Sequence, residues 1–129
     1  RSWKSGDQVT LELPMEVKWI TANPQVIDAC GRVAVMRGPL VYCAEGMDNG
    51  GRPLKDVRIA RDSETEVSME EIEGFALAVI RMAASCRRPF EGLYTQEALP
   101  VEEFTLKLIP YFAWSNRGVT EMTTWFLEK

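Results

Sequence analysis

The chain contains no histidine. That absence removes Ser-His-Asp and Cys-His catalysis, the commonest general base and the usual metal ligand together. Cysteine is scarce: Cys30, Cys43 and Cys86 are odd in number, far apart and without a Cys-x-x-Cys pair. Neither a disulfide framework nor a zinc knuckle fits that spacing, so buried free thiols are expected. Unpaired thiols favour a reducing compartment, and cytoplasmic localisation is expected. No apolar run approaches the roughly 20 residues of a membrane span, so no membrane contact is expected. Positive charge is also short. The net charge of −4 argues against nucleic acid, which needs a basic face. The opening residues 1–7 lack an apolar signal-peptide core and an initiator Met, and they read as the interior of a larger protein. Repeats and low-complexity segments are missing too. What is present is ordinary for one globular domain over residues 1–129, with 46% apolar and 26% charged residues.

The densest apolar stretch is 31–45. Val33 and Val35 alternate with Ala34 and Met36, a period-2 strand pattern. Gly38-Pro39 predicts a bulge or sharp bend, because Pro39 has no N–H and Gly38 takes dihedrals closed to other residues. Residues 40–44 are too apolar for a surface strand and fit one buried on both faces. Arg37 and Glu45 flank this core and are expected at strand ends, in solvent. Cys43 is expected in the core, inert because its thiolate would be desolvated.

Around that centre, residues 9–13 alternate cleanly and predict a half-buried strand that Pro14 ends. Residues 16–22 predict a second, broken by Asn23-Pro24. Residues 46–53 form the strongest loop. It carries Asp48 and Asn49 but lacks the alternating oxygen ligands of a calcium loop. Val57 and Ile59 mark a short strand. The acidic stretch 62–73 is expected as loop with at most one helical turn. Residues 75–84 suit helix by composition and strand by alternation; the Gly74 before them and the strands on either side favour strand. A loop over 87–100, a strand over 104–108 ending at Pro110, and a last strand over 122–127 complete the chain. About eight short strands between turn signals predict an all-β, antiparallel β-sandwich of jelly-roll type.

Three motifs carry a family resemblance. They are Trp3-x-x-Gly6-Asp7-x-Val9-x-Leu11-x-Leu13-Pro14-Met15, Arg37-Gly38-Pro39-Leu40-Val41-Tyr42-Cys43-x-Glu45 and Pro110-Tyr111-x-Ala113-Trp114-x-Asn116-Arg117-Gly118. In this order they resemble the C-terminal part of glycoside hydrolase family 127, the β-L-arabinofuranosidase-like family. The resemblance implies a parent hydrolase with an α/α-barrel catalytic domain followed by β-sandwich domains. It also implies a zinc-bound cysteine nucleophile in that barrel. The zinc cluster has no counterpart in these motifs, so no cofactor is expected in this chain and Cys43 is not the nucleophile.

The residues alone agree with a non-catalytic part. A glycosidase needs two carboxylates at a defined separation, one with a raised pKa. The 19 acidic residues lie mostly in polar stretches, and Glu45 is the nearest candidate. Two function classes stay open. One is a structural domain that packs on the parent's catalytic barrel or mediates a homodimer. The other is a carbohydrate-binding module using aromatics among Trp3, Trp19, Trp114 and Trp125. Trp114, Asn116 and Arg117 are the candidate interdomain or sugar contacts. As a sugar subsite, Trp114 would stack while Asn116 and Arg117 bond hydroxyls. As a corner, Asn116 and Gly118 would take left-handed dihedrals and Asn116 would bond nearby backbone. Trp114 would plug the sandwich and Arg117 would pair with a carboxylate of this domain or of its neighbour. The corner is favoured, and on it Trp114→Ala costs about 3–5 kcal/mol.

Overall fold

A computed structural model describes residues 2–129. Nine strands and four short 3₁₀ turns make up its regular structure, with no α-helix among the described residues. The strands are β1 (Val17–Thr21), β2 (Arg32–Arg37), β3 (Leu40–Glu45), β4 (Arg58–Ile59), β5 (Thr65–Ile72), β6 (Phe75–Arg87), β7 (Val101–Pro110), β8 (Met122–Thr123) and β9 (Trp125–Glu128).

The all-β class agrees with expectation, but the architecture corrects it. Strands β2, β9, β4, β6, β7 and β3 follow one another by hydrogen bonding, and β3 pairs again with β2. The ring is a closed six-stranded barrel, not a sandwich. The remaining strands lie outside the ring: β1 on β2, β5 on β6 and β8 on β3. All pairs are antiparallel except β4 with β9. Closure removes the open edges that a ring of strands would otherwise present.

Strand β3 makes the closure. It pairs with β2 at Leu40 and Val41, with β7 at Tyr42 and Cys43, and with β8 at Ala44 and Glu45. The bend expected at Gly38-Pro39 is a two-residue hairpin joining Arg37 to Leu40. Gly38 has φ +56°, and a Cβ there would sit 2.5 Å from Met15 Sδ, so both dihedral and space require glycine. The burial on both faces expected for 40–44 holds for 42–44 but not for Leu40 and Val41, and it extends to Glu45, which was expected in solvent. Tyr42 faces the barrel interior with Val33, Val35, Leu54, Ile80, Leu108 and Phe126. Its hydroxyl donates to the Ala78 carbonyl at 2.9 Å. Cys43 points the other way, into an outer cluster with Ile72, Val79, Ile109 and Ala113.

Two further expectations fail. Residues 9–13 form no strand in this barrel, and Val9, Leu11 and Leu13 are exposed. The acidic stretch 62–73 is no loop: it contains β5, which runs antiparallel to β6 in a long hairpin. Glu73 (φ +51°) and Gly74 (φ +78°) form its two-residue turn, the doubly positive geometry that hairpin twist favours. β5 lies outside the barrel, with all but Ile72 exposed or half-buried, so its composition is that of a solvated face. The strand preference for 75–84 holds, and β6 extends on to Arg87.

The thiols divide. Cys43 and Cys86 are buried, whereas Cys30, expected inside, is exposed. Burial, reinforced by the neighbouring Glu45 carboxylate, pushes the Cys43 thiol up to about 12. Burial also raises Cys86. Since the thiolate is the nucleophile, one rapidly reacting thiol per chain is expected with a chromogenic disulfide reagent at pH 8. It should map to Cys30, and the other two should react only on denaturation. Rapid native labelling of Cys43 would contradict its placement.

Candidate functional site

The loop after β7 builds the site. Pro110 ends the strand, a 3₁₀ turn covers Tyr111–Ala113, and left-handed dihedrals at Ser115 (φ +64°) and Gly118 (φ +118°) swing the chain back to β8. The positive φ falls on Ser115 and not on Asn116, where it was expected. The excursion carries Arg117 onto the end of β3. One guanidinium nitrogen donates to Asp48 Oδ1 at 2.9 Å, and the other bridges Glu45 and Asp48. Glu45 also accepts from the Ser115 backbone N–H at 2.8 Å.

Glu45 is therefore not a strand-end residue in solvent. Its exposure is 0%, which makes it the most deeply buried charge described in the chain. The pair opens a line of alternating charge across the outside of the barrel. Lys107 Nζ lies 3.1 Å from Asp48 Oδ1 and 3.0 Å from Glu70 Oε2. Glu70 also pairs with Arg81, and Arg81 donates to Ser68 Oγ at 2.9 Å. Asn49, nearly fully buried, holds this arrangement together. Its amide donates to the Glu45 and Lys107 carbonyls at 2.8 and 3.1 Å, and its oxygen accepts from the Lys107 N–H at 2.9 Å. The sequence placed Asn49 only in a loop, beside Asp48, that lacks the ligand pattern of a calcium site.

Burial would raise the Asp48 carboxyl, but hydrogen bonds from Arg117 and Lys107 outweigh it and hold the group below its usual range. Glu70 is held down in the same way, burial again opposing, by Lys107 and Arg81. The Asp48 hydrogen bonds also raise Arg117 further. A carboxyl depressed in the folded state stabilises it fully above its unfolded value near 4, and that contribution fades as pH falls through the lower folded value. Melting temperature is thus expected to hold level down to about pH 5 and to fall below about pH 4. In Asp48→Asn the acid limb should be shallower, from a lower plateau. An equally steep limb in the variant would show that Asp48 does not contribute to it.

Of the three candidate residues, Arg117 is half-buried and ion-paired with carboxylates of this domain, the pairing that the corner reading expected. Asn116 is exposed and donates to the Ala113 carbonyl at 3.2 Å. Trp114 is not a plug. It is 36% exposed and leans on Tyr111, ring centroids 6.2 Å apart and planes at 36°. The corner is closed by the Arg117–Glu45 pair instead. Beside it lies a cleft of about 330 Å³ lined by Ile72, Phe75, Leu77, Phe112, Ala113 and Asn116, with Glu73 at its rim. Phe75 and Phe112 are 70% and 63% exposed. They leave an aromatic face open to solvent, and Tyr111 and Trp114, in the same loop as Phe112, are exposed as well.

The carboxyls whose pKa is displaced, namely Asp48, Asp56, Glu70, Glu102 and Glu128, are all held down. Such groups hold charge and do not release protons near neutrality, whereas glycoside cleavage needs an acid raised toward it. No group of three Cys, Asp or Glu suited to a metal ion occurs among the described residues.

The fold and site define an all-β barrel domain with an ion-paired corner beside an open aromatic face. The family model of the glycoside hydrolase family 127 C-terminal domain matches residues 17–127, and the chain belongs to that family. It is 37% identical over 128 residues to a non-reducing end β-L-arabinofuranosidase of Bifidobacterium longum subsp. longum, covering 92% of this chain and 19% of that protein. A family 127 β-L-arabinofuranosidase from Geobacillus stearothermophilus matches in structure with a TM-score of 0.82 and 37% identity, over 90% of this chain and 19% of the other. A further family 127 β-arabinofuranosidase matches with a TM-score of 0.74 and 29% identity, over 89% and 17%. The chain thus spans about a fifth of the length of these relatives.

Proposed function

We propose that this chain is a non-catalytic accessory domain of a β-L-arabinofuranosidase-like glycoside hydrolase, and that its aromatic face docks on the parent's catalytic barrel. The observation that carries the reading is the pair Phe75 and Phe112, largely exposed around an apolar cleft. Apolar surface of this kind is retained where it is covered by a partner. The ion-paired corner behind the cleft fixes the loop that presents Phe112. Zinc and the nucleophile fall to the rest of the parent.

A carbohydrate-binding module is the second reading, favoured by the exposure of Trp114, Tyr111 and Asn116. The 36° tilt between the two rings counts against a flat stacking platform. One experiment separates the readings. In the full-length parent, Phe75→Ser with Phe112→Ser is expected to lower the melting temperature while any affinity for arabinose oligosaccharides stays unchanged. A variant that associates less than wild type at unchanged melting temperature would assign the face to a dimer contact. Because Trp114 is partly exposed, Trp114→Ala is now expected to cost about 1 kcal/mol and not the several of a buried plug. If that substitution abolishes a measurable wild-type sugar affinity, the binding-module reading replaces docking.

A further inference from the structure

Residues 8–14 read Gln-Val-Thr-Leu-Glu-Leu-Pro, with apolar side chains at every second position up to Pro14. Val9, Leu11 and Leu13 are 71%, 75% and 69% exposed. Three large aliphatics on one face of a period-2 segment form a face built for burial. Among the described residues none of 8–15 joins a strand ladder. Among the described residues the segment is tied only at its ends. The Asp7 N–H donates to the Lys4 carbonyl at 3.1 Å, forming a turn. At the other end the Gly38 N–H donates to the Glu16 carbonyl at 3.0 Å, and Met15 lies against Gly38. The family match begins at residue 17, and the relatives are about five times longer than this chain. The segment therefore precedes the matched domain, which in the relatives is a small part of a longer polypeptide.

We propose that residues 8–14 are a β-strand of a second sheet, formed by the part of the parent polypeptide N-terminal to this domain. In that sheet Val9, Leu11 and Leu13 face its core, and Gln8, Thr10 and Glu12 face solvent. The partner is an open strand edge above an apolar sheet face. The polar outer face fits the antiparallel sheets that are solvated on one side. Met15 and Glu16, held against the β2–β3 hairpin, then fix the angle between the two domains, because the strand of one runs directly into β1 of the other. The inference rests on family membership and on the larger parent, and not on the aromatic face, so the two stand or fall by different variants.

Hydrogen exchange on the full-length parent tests it. Amides of 8–14 are expected to exchange at least about 100-fold more slowly than in an unstructured peptide. In Leu11→Ala, protection should fall both in 8–14 and in a segment N-terminal to residue 1, while β1 stays protected. Exchange of 8–14 at the unstructured rate in wild type would overturn the proposal without any variant. Loss of protection that spreads to β1 instead would overturn it in favour of pairing with this barrel's own edge. Protection that disappears on dilution would overturn it in favour of a strand exchanged between two copies.

Discussion

Arg117→Ala is expected to destabilise the fold by about 3–5 kcal/mol, the usual cost of removing one partner from a buried ion pair. Glu45 is wholly buried, and among the described residues Arg117 is its one ion-pair partner. Truncation would leave that carboxylate with the Ser115 N–H alone. Asp48 loses less, because Lys107 stays beside it. The cost thus belongs to the stranded charge and not to the net worth of the bridge. Pairing Arg117→Met with Glu45→Leu removes both charges and should recover much of the loss. Urea denaturation of the two variants checks both statements: the single variant should shift its midpoint without changing the slope. If it unfolds at the wild-type midpoint, Glu45 is solvated and the corner is not closed as described.

Phe126→Ala should cost a similar amount, about 3–5 kcal/mol, for a different reason. Phe126 has zero exposure on the four-residue strand β9, between β2 and β4. Its ring fills the barrel beside short ladders, because β4 contributes only two residues and β9 pairs with β2 over three. Removing it leaves a cavity that short strands flanking a parallel contact are poorly placed to refill. Phe75→Ala, at a largely exposed site, should change stability of the isolated chain by no more than about 0.5 kcal/mol. Equal losses for the two phenylalanines in the same titration would contradict the placement of either.

Much of the strand content was legible, because alternation reports which residues face a core. Residues 31–45 announced two strands interrupted at Gly38-Pro39, and the burial read for 40–44 holds over 42–44. Barrel closure was not legible. A sandwich and a barrel impose the same in–out alternation, and closure here depends on pairings of two residues each, such as Tyr42 with Pro110 and Cys43 with Ile109. The strand β5 was hidden because it packs outside the barrel and carries the charge of a loop. Residues 9–13 misled in the opposite sense: their pattern is that of a strand, but no partner for it lies in this barrel. At the site, Arg117 was legible as a residue that needs a carboxylate. Its partner was not, because Glu45 sits at the end of its strand and only the 111–121 loop, folding back over it, excludes water. Asn49 carried no signal beyond turn propensity, since its hydrogen bonds reach Lys107 from the far side of the fold.

On the docking proposal, this domain supports a hydrolase without taking part in its chemistry. Glu45 is the carboxylate best placed to challenge it, being buried, close to Asp48 and beside a cleft. Turnover of an aryl β-L-arabinofuranoside by the full-length parent carrying Glu45→Gln, measured well below the variant's melting temperature, is the direct test. A kcat within about threefold of wild type, with a lowered melting temperature, is the predicted result. Loss of a catalytic acid or base costs about 100-fold or more, and a fall of that size at an unchanged melting temperature would contradict the account.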